Sequence, residues 1–415
     1  MMQTSGNTLQ LRSPAALTPL FLLLIILPTA TYYLALSTSL GLGASLVAAL
    51  LIARFMDPLV SRELSHAQTR GKLFATPLVV AATVLALITA HAAVAWTYQP
   101  FDGLRAGGSE LMLLLAIVAG CGLGDALLEA PDAYVDRGVR ICFAFFCMVA
   151  VIGVAGISPQ TSMTSGKALF PFTEPSHFAL IFAPFFLFCC VRSVGAARLA
   201  VLLTGVAIAA LLQNLTLVII CLLAACICLR GLTLLAAVAI AGLALAGMQS
   251  VDFGYYTQRL DLSSDTRNLS ALVYLQGWQL IIESLQRSGG WGVGFQQLGM
   301  HGTEVPAAEL IYEITRNEGN LRDGGFGLAK IVSEFGVLGF CLVAWFVRFA
   351  WRTARDLRRA ALGGGIAPAR LLAECAIVGY LVELFVRGTG YFSSTSILLV
   401  AALWFVRNES ATHRQ

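Results

Sequence analysis

The stretch LAVLLTGVAIAALLQNLTLVIICLLAACICL at residues 199–229 contains no charged side chain, and its main polar segment is QNLT at 213–216. A helix needs roughly 20 mainly apolar residues to cross a bilayer, because its backbone N–H and C=O groups must be bonded within the helix. The stretch predicts two short membrane spans joined by a tight turn at QNLT, with a single broken helix as the alternative.

The whole chain has this character, since 58% of its 415 residues are hydrophobic and only 12% are charged. Such a chain is too apolar for one soluble core. It predicts an all-α polytopic integral membrane protein with about twelve transmembrane helices, or eleven or thirteen if the short spans divide differently. Residues 1–415 are expected to form a single membrane domain. The predicted spans lie near 17–36, 40–54, 73–96, 110–128, 140–157, 177–191, 199–213, 215–229, 231–249, 326–347, 371–387 and 392–406.

Arginines predict the orientation, because cytoplasmic loops of membrane proteins carry an excess of Lys and Arg. The segment RFAWRTARDLRR at 348–359 contains five arginines. If this segment is cytoplasmic, both termini are cytoplasmic as well, and the segments 158–176 and 250–325 lie on the opposite side. The first span shows no convincing cleavage site and is expected to be retained. The net charge of +4 then reflects topology, and no basic stripe with interleaved aromatics indicates nucleic-acid binding.

The stretch 250–325 is predicted to form a large, partly helical loop. In NLSALVYLQGWQLIIESLQ, residues 268–286, apolar side chains recur at helical spacing, which predicts an amphipathic helix that ends at SGG, residues 288–290. A second helix is expected to start at Pro306 in VPAAELIYEITR. Helices of this kind shield a cavity or lie in the membrane interface.

An ionisable pair, Glu174 and His177, stands at the start of a predicted span in FPFTEPSHFAL, residues 170–180. A helix cap explains Pro175 and Ser176, because Ser or Glu can accept from the first N–H groups and Pro is tolerated there. A functional site explains Glu174 and His177 better, because ionisable groups at membrane depth are costly. Both interpretations stay open at the level of sequence.

Arg267 stands where the amphipathic helix of the loop begins. The helix dipole disfavours a cation at this position, so an anionic partner would explain Arg267. Solvated surface is the alternative, and it is the simpler interpretation for the other loop arginines.

Signatures of nucleotide and metal sites are missing from the sequence. TSGKAL around Lys167 lacks the first Gly and the Ser or Thr of a P-loop, and GWGVG at 290–294 lacks the preceding strand and the spacing of a dinucleotide site. Paired His or Cys ligands and an Asp-x-Asp pair are also missing. We therefore expect no metal and no cofactor.

Three motifs follow one another in the chain, namely FPFTEPSHFAL, then DTRNLSALVYLQGW followed by GGWGVGF, then NEGNLRDGGFGLAKIVSEFGVLGF at 317–340. In this order they resemble the polytopic O-antigen and exopolysaccharide polymerases of the bacterial envelope, a family that also contains the O-antigen ligases. The similarity covers roughly residues 160–345.

The resemblance implies a GT-C-like, metal-independent glycosyltransferase of the bacterial inner membrane that uses no nucleotide sugar. It implies that the 250–325 loop is periplasmic and that the substrate is a glycan repeat unit on undecaprenyl diphosphate. A hydroxyl of one lipid-linked unit attacks the anomeric carbon of another, and the diphosphate leaves. The implied partners are this lipid-linked glycan, the lipid bilayer and a chain-length regulator, with no nucleic acid.

A leaving diphosphate calls for arginine, whose planar charged group pairs two phosphate oxygens at once. By resemblance, Arg267 is the first candidate, because it matches the loop arginine of the family. Arg387, at the outer end of the span 371–387, is the second, and Arg259 and Arg322 are weaker candidates.

The attacking hydroxyl calls for a proton acceptor. Glu174 fits if burial raises its pKa towards a useful value, and His177, one helical turn later, lies near the same face. His301 and Asp323 are the alternatives. The ligases of this family are associated with an essential loop histidine, which would correspond to His301.

Three other functions compete with polymerisation. A ligase would transfer the finished glycan from the same carrier to lipid A–core, although the EPSHFA motif is more similar to the polymerases. A polysaccharide flippase or other transporter would show paired halves and ionisable groups in mid-membrane, whereas polar residues here gather on one side. A non-catalytic membrane scaffold is the last alternative.

Overall fold

The computed structural model describes residues 17–37, 39–56, 70–161, 169–231, 233, 253–263, 266–300, 305–316 and 321–412. All regular structure in these ranges is helical. The helices are α1 Leu17–Tyr33, α2 Leu40–Met56, α3 Arg70–Ala95, α4 Gly103–Glu129, α5 Asp132–Val154, α6 Pro175–Arg192, α7 Gly195–Leu211, α8 Leu215–Cys228, α9 Phe253–Leu260, α10 Leu269–Arg287, α11 Pro306–Thr315, α12 Gly327–Ala361, α13 Pro368–Phe385 and α14 Ser394–Thr412.

Five of the described helices are long and apolar enough to cross a membrane, namely α4, α5, α6, α12 and the Thr76–Ala95 part of α3. Four shorter apolar helices, α1, α2, α7 and α8, accompany them. Eleven of the twelve predicted spans fall on described helices, whereas the predicted span at 231–249 lies almost entirely outside the described residues. Both predicted loop helices are present as α10 and α11.

The 199–229 region folds as two helices joined by a tight turn, as expected from QNLT. Gln213 adopts a left-handed conformation with φ of 48°, which reverses the chain. Asn214 then caps α8, because its side chain accepts a hydrogen bond from the N–H of Leu217 at 3.0 Å. The alternative of a single broken helix is excluded.

Helix α6 is the centre of the bundle, because every residue from Phe178 to Val191 is buried. It packs against α5, α7, α8 and α13. A ladder of phenylalanine rings joins it to α5, with Phe146 of α5 in contact with Phe178, Phe182 and Phe185 at centroid distances of 5.4–5.6 Å. Such ring pairs add to the free energy gained by burial. They hold α6 in place in the bundle and so fix the position of its first residues.

Arg198, near the start of α7, binds the ends of three other helices. Its guanidinium donates to the carbonyl oxygens of Cys190 at the end of α6 (3.1 Å), Cys228 at the end of α8 (3.1 Å) and Ala361 at the end of α12 (2.7 Å). The last carbonyls of a helix have no partner within it, so one cation satisfies three helix ends. These ends therefore lie together, close to the predicted cytoplasmic arginines of 348–359.

Replacing Arg198 by alanine is expected to lower the free energy of unfolding by roughly 2–4 kcal/mol, because hydrogen bonds from a charged group are strong and the carbonyls would lose their donor. Thermal unfolding of the purified protein in detergent measures the loss. Arg192→Ala is the control at the same end, since Arg192 is 42% exposed and makes a 3.2 Å ion pair with Asp136, a contact worth less than about 1 kcal/mol. Equal melting temperatures for the two variants would contradict the role assigned to Arg198.

Helix α12 is interrupted at Gly336, where φ is 58° and ψ is −136°. The GGWGVGF loop replaces the missing helical bonds. Val293 and Gly294 donate their N–H groups to the carbonyls of Ser333 and Glu334 at 2.9 Å, and Val337 donates to the carbonyl of Gly290 at 2.9 Å. A side chain at Gly292 would collide with the Glu334 carbonyl, 2.5 Å from its Cβ position. The glycines thus allow a loop backbone to complete a broken helix.

Helix α12 extends beyond the predicted span 326–347, because it continues through the arginine-rich segment to Ala361. Helix direction then separates two ends of the bundle. Helices α6 and α12 end beside Arg198, α7 begins there, and α13 runs in the opposite direction. Glu174 before α6 and Arg387 after α13 therefore meet at the other end.

Candidate functional site

A cavity of about 560 Å³ lies where α6 begins, where α13 ends and where α7 turns into α8. Helices α9 and α10 of the loop complete its wall. Its polar lining residues are Glu174, Ser176, Asn214, Thr216, Arg259, Ser270, Tyr274 and Arg387. Its apolar lining residues include Leu212, Leu215, Ile219, Leu260, Leu262, Val273, Phe385 and Val386. This volume is in the range of small-molecule sites, and the cavity combines two guanidinium groups and a carboxylate with an apolar wall.

Glu174 occupies the N-cap position of α6 by its backbone, with φ of −150° and ψ of 155°, but its side chain makes no capping hydrogen bond. Its Oε1 atom instead accepts a hydrogen bond from Nη2 of Arg387 at 2.9 Å and lies 2.9 Å from Nε2 of His177. Pro175 begins the helix at a position where its missing N–H is not needed. Of the two interpretations of Glu174, the geometry favours a site over a cap.

His177 is oriented by two neighbours. Its Nδ1 atom lies 3.1 Å from the hydroxyl oxygen of Thr173, and its Nε2 atom faces Glu174. When the hydroxyl donates to Nδ1, Nε2 carries the proton that points at the carboxylate. His177 therefore fixes the position of the Glu174 carboxylate in either charge state.

The expectation that the pKa of Glu174 is raised is wrong. Burial alone would raise it, but the guanidinium of Arg387 and, after it, His177 hold the pKa of Glu174 well below its usual value. The carboxylate is therefore charged at neutral pH and is a weak base while this ion pair exists.

Arg387 follows directly after α13 and its C-cap residue Val386. The next residue, Gly388, donates its N–H to the carbonyl of Gly325 at 2.9 Å, which fixes the backbone here against the segment before α12. The Nε atom of Arg387 is buried and has no hydrogen-bond partner among the described residues. A buried N–H without a partner is unfavourable, so this guanidinium can donate a hydrogen bond to a further anion.

The structure brings Glu174, His177, Arg387 and Arg259 together, since His177 contacts Glu174 and the other three line the cavity. Arg267 is exposed and precedes Asn268, the N-cap residue of α10, and it is not among the residues that line the cavity. Its role in binding diphosphate stays a prediction.

Asp323 and Arg322 do not line the cavity. Asp323 is exposed and forms an ion pair of 3.0 Å with Lys330, whose ammonium group also donates to the backbone carbonyl of Arg322. Arg322 itself is exposed. His301 lies outside the described residues. The geometry therefore favours Glu174 over Asp323 as the proton acceptor of the cavity.

Several buried ionisable groups were not predicted as site residues. Lys330 and Glu334 are buried in α12 with 4.0 Å between Nζ and Oε1. Glu383 is buried near the end of α13, and its Oε1 accepts hydrogen bonds from the hydroxyls of Thr389 (2.7 Å) and Ser393 (3.3 Å). Their signal was present in the sequence, because an ionisable residue inside an apolar span marks a functional or structural site.

Within the described ranges, no group of three or more His, Cys, Asp or Glu side chains is placed to hold a metal ion. No protein-family model, no curated protein and no solved structure matches the chain. Arg387 and Arg259 can bind an anionic ligand, and the Glu174 carboxylate can accept a proton from a hydroxyl group.

Proposed function

We propose that the protein polymerises undecaprenyl-diphosphate-linked oligosaccharide repeat units at the periplasmic face of the bacterial inner membrane. The observation that carries this proposal is the ion pair between Arg387 and Glu174 in the wall of the cavity that Arg259 also lines. A leaving diphosphate needs fixed cations, and an attacking hydroxyl needs a proton acceptor. This cavity offers both.

The apolar wall supports a lipid-linked substrate. Leu212, Leu215 and Ile219 come from the ends of α7 and α8, two apolar helices of the bundle. The first isoprene units of a polyprenyl carrier would pack on these side chains, while its diphosphate faces Arg387 and Arg259. A soluble sugar phosphate would gain nothing from such a wall.

In the proposed reaction, the acceptor hydroxyl attacks the anomeric carbon of the donor glycan and gives its proton to Glu174. The new C–O bond forms while the bond between the anomeric carbon and the diphosphate oxygen breaks. The electron pair of that bond leaves on undecaprenyl diphosphate, whose added negative charge Arg387 and Arg259 stabilise. His177 keeps the carboxylate in position through its 2.9 Å contact.

The position of the cavity supports a periplasmic reaction. It lies at the end of α6 and α13 that is remote from Arg198 and from the arginines of 348–359. Because arginine-rich segments stay cytoplasmic, the cavity end would face the periplasm. Twelve spans, with both termini in the cytoplasm, complete this topology.

Purified protein in liposomes is expected to extend lipid-linked repeat units in the presence of a chelator, with no loss of rate, because the proposed cations are arginines. The measurement is the length distribution of the lipid-linked glycan after incubation with EDTA. A strict requirement for a divalent cation or a nucleotide sugar would exclude the proposed reaction.

Deletion of the gene separates the polymerase from the ligase and the flippase. Loss of a polymerase leaves single repeat units attached to the acceptor, whereas loss of a ligase leaves long glycan on the carrier lipid. Loss of a flippase leaves repeat units on the cytoplasmic side. Attached single units are the expected phenotype.

A further inference from the structure

In the cavity wall, the cation needed for the proposed diphosphate has a carboxylate bound to it. Nη2 of Arg387 donates to Oε1 of Glu174 at 2.9 Å. Carboxylate and phosphate oxygens make the same kind of charge-assisted hydrogen bond with a guanidinium group. Glu174 and an incoming diphosphate are therefore competitors for one partner.

We propose that the Glu174 carboxylate is an internal substitute for the donor diphosphate, which displaces it from Arg387 and thereby releases it to accept the proton of the acceptor hydroxyl. This inference rests on the proposed function and adds an order of events to it. The donor binds first, and the base becomes available only afterwards.

The geometry of Arg387 suits such an exchange. Its backbone is fixed by the 2.9 Å hydrogen bond between Gly388 and Gly325, so the guanidinium stays in the cavity wall when its partner changes. Its Nε–H group is buried and has no partner among the described residues. A diphosphate with several oxygens can bind Nη2 and Nε–H at once, whereas Glu174 uses Nη2.

Glu174 can leave this contact without disturbing α6. Although it stands at the N-cap position, its carboxylate makes no capping hydrogen bond to the helix backbone. His177 would still hold it through the 2.9 Å contact between Nε2 and Oε1. The helix start therefore does not depend on the ion pair.

The exchange also changes the basicity of Glu174. The titratable groups that face it are Arg387 and His177, with Arg259 in the same cavity lining and Asp323 close enough to interact with Arg387. Burial raises the pKa of Glu174 and Arg387 is the main cause that lowers it. When a diphosphate neutralises Arg387, this main lowering cause is removed and the pKa of Glu174 rises, and a carboxylate with a higher pKa is the better proton acceptor.

The competition predicts an unusual result for Glu174→Gln, which keeps the size of the side chain but removes its charge. The variant should bind inorganic pyrophosphate about tenfold more tightly than the wild type, because Arg387 no longer has to be freed first. Isothermal titration calorimetry of the full purified chain in detergent measures this affinity. A merely structural role, in which Glu174 positions Arg387, predicts weaker binding instead.

Asp136→Asn is the matched control. Asp136 is 23% exposed, as Glu174 is 22% exposed, and it pairs with Arg140 and Arg192 at the other end of the bundle. The Asp136→Asn substitution removes one negative charge, as Glu174→Gln does, so any general effect of net charge on anion binding appears in both variants. Its pyrophosphate affinity should equal that of the wild type.

Glu174→Asp provides a second measurement if Glu174→Gln does not fold. The shorter side chain keeps its charge but reaches Arg387 less well, so pyrophosphate affinity should lie between that of the wild type and that of Glu174→Gln. If neither Glu174→Gln nor Glu174→Asp binds pyrophosphate more tightly than the wild type, and Arg387→Lys binds it more weakly, the inference is overturned but the proposed function is not. If the wild type binds no pyrophosphate, or binds it as tightly as Arg387→Lys does, both the proposed function and the inference are overturned.

Discussion

Replacing Arg387 by alanine is expected to abolish glycan chain extension, with a loss in rate on the order of 10²–10³-fold. Arg387 is placed in the cavity wall with one buried N–H group that no described residue accepts. The charge that develops on the leaving diphosphate would lose its main partner. Arg387→Lys should also fail substantially, because an ammonium group keeps the charge but loses the planar fork that pairs two oxygens.

The measurement is the length of the glycan ladder in cells that carry each variant at matched membrane abundance. Arg359→Ala serves as the control, since Arg359 is 70% exposed and pairs only locally with Asp356 at 2.7 Å. Arg267→Ala belongs in the same series, because the family resemblance predicts its loss to be as severe. Full-length ladders from both Arg387→Ala and Arg387→Lys would show that this arginine is a structural partner of Glu174 and no more.

Glu174→Gln is expected to lower the rate of chain extension by about 10²–10⁴-fold, the usual contribution of a general base. The amide can still accept a hydrogen bond from Arg387, so the variant should reach the membrane in normal amounts. Its loss of polymer would then coincide with the tighter pyrophosphate binding described above. These opposite effects on one variant separate proton transfer from donor binding.

Glu283→Gln is the control for this substitution. Glu283 lies on α10, is 26% exposed and contacts Arg287 at 3.8 Å, and it does not line the cavity. Ladder length and in vitro extension rate should remain normal in that variant. Near-normal polymer from Glu174→Gln would instead move the search for the proton acceptor to Asp323 and His301.

The helices were predictable from the sequence because their signals are local. Apolar length and composition predicted helices at eleven positions where the structure has them, and the turn residues at Gln213 and Asn214 divided α7 from α8. Pro306 marked the start of α11, as its tolerance at the first helical position predicts. The proximity of Glu174 and His177 followed from their spacing of three residues at a helix start.

The partner of Glu174 could not be predicted in the same way. Arg387 lies 213 residues further along the chain, and only the packing of α13 beside α6 brings the two side chains together. The direction of the pKa shift depends on that contact, so a prediction based on burial alone had the wrong sign. Arg267 was the first candidate for diphosphate binding for a related reason. Its position at a helix start and the family resemblance can be read from the sequence, whereas the lining of the cavity cannot.

Ionisable residues inside the predicted spans were visible in the sequence, but a hydropathy average does not show them. Lys330, Glu334 and Glu383 each stand among apolar residues, and an average over roughly 20 residues hides a single charge. The structure shows all three to be buried. The break in α12 at Gly336 was hidden as well, because glycine is common in membrane helices and its left-handed conformation leaves no mark on composition.

The GGWGVGF loop that completes α12 has an evolutionary consequence. Surface loops normally tolerate insertions and deletions, because their backbone bonds to water. Here the N–H groups of Val293 and Gly294 are paired with carbonyls of a helix some forty residues further along the chain. A change in length between residues 290 and 294 would shift every one of these pairs. The length of this loop should therefore be inherited as strictly as that of a membrane helix.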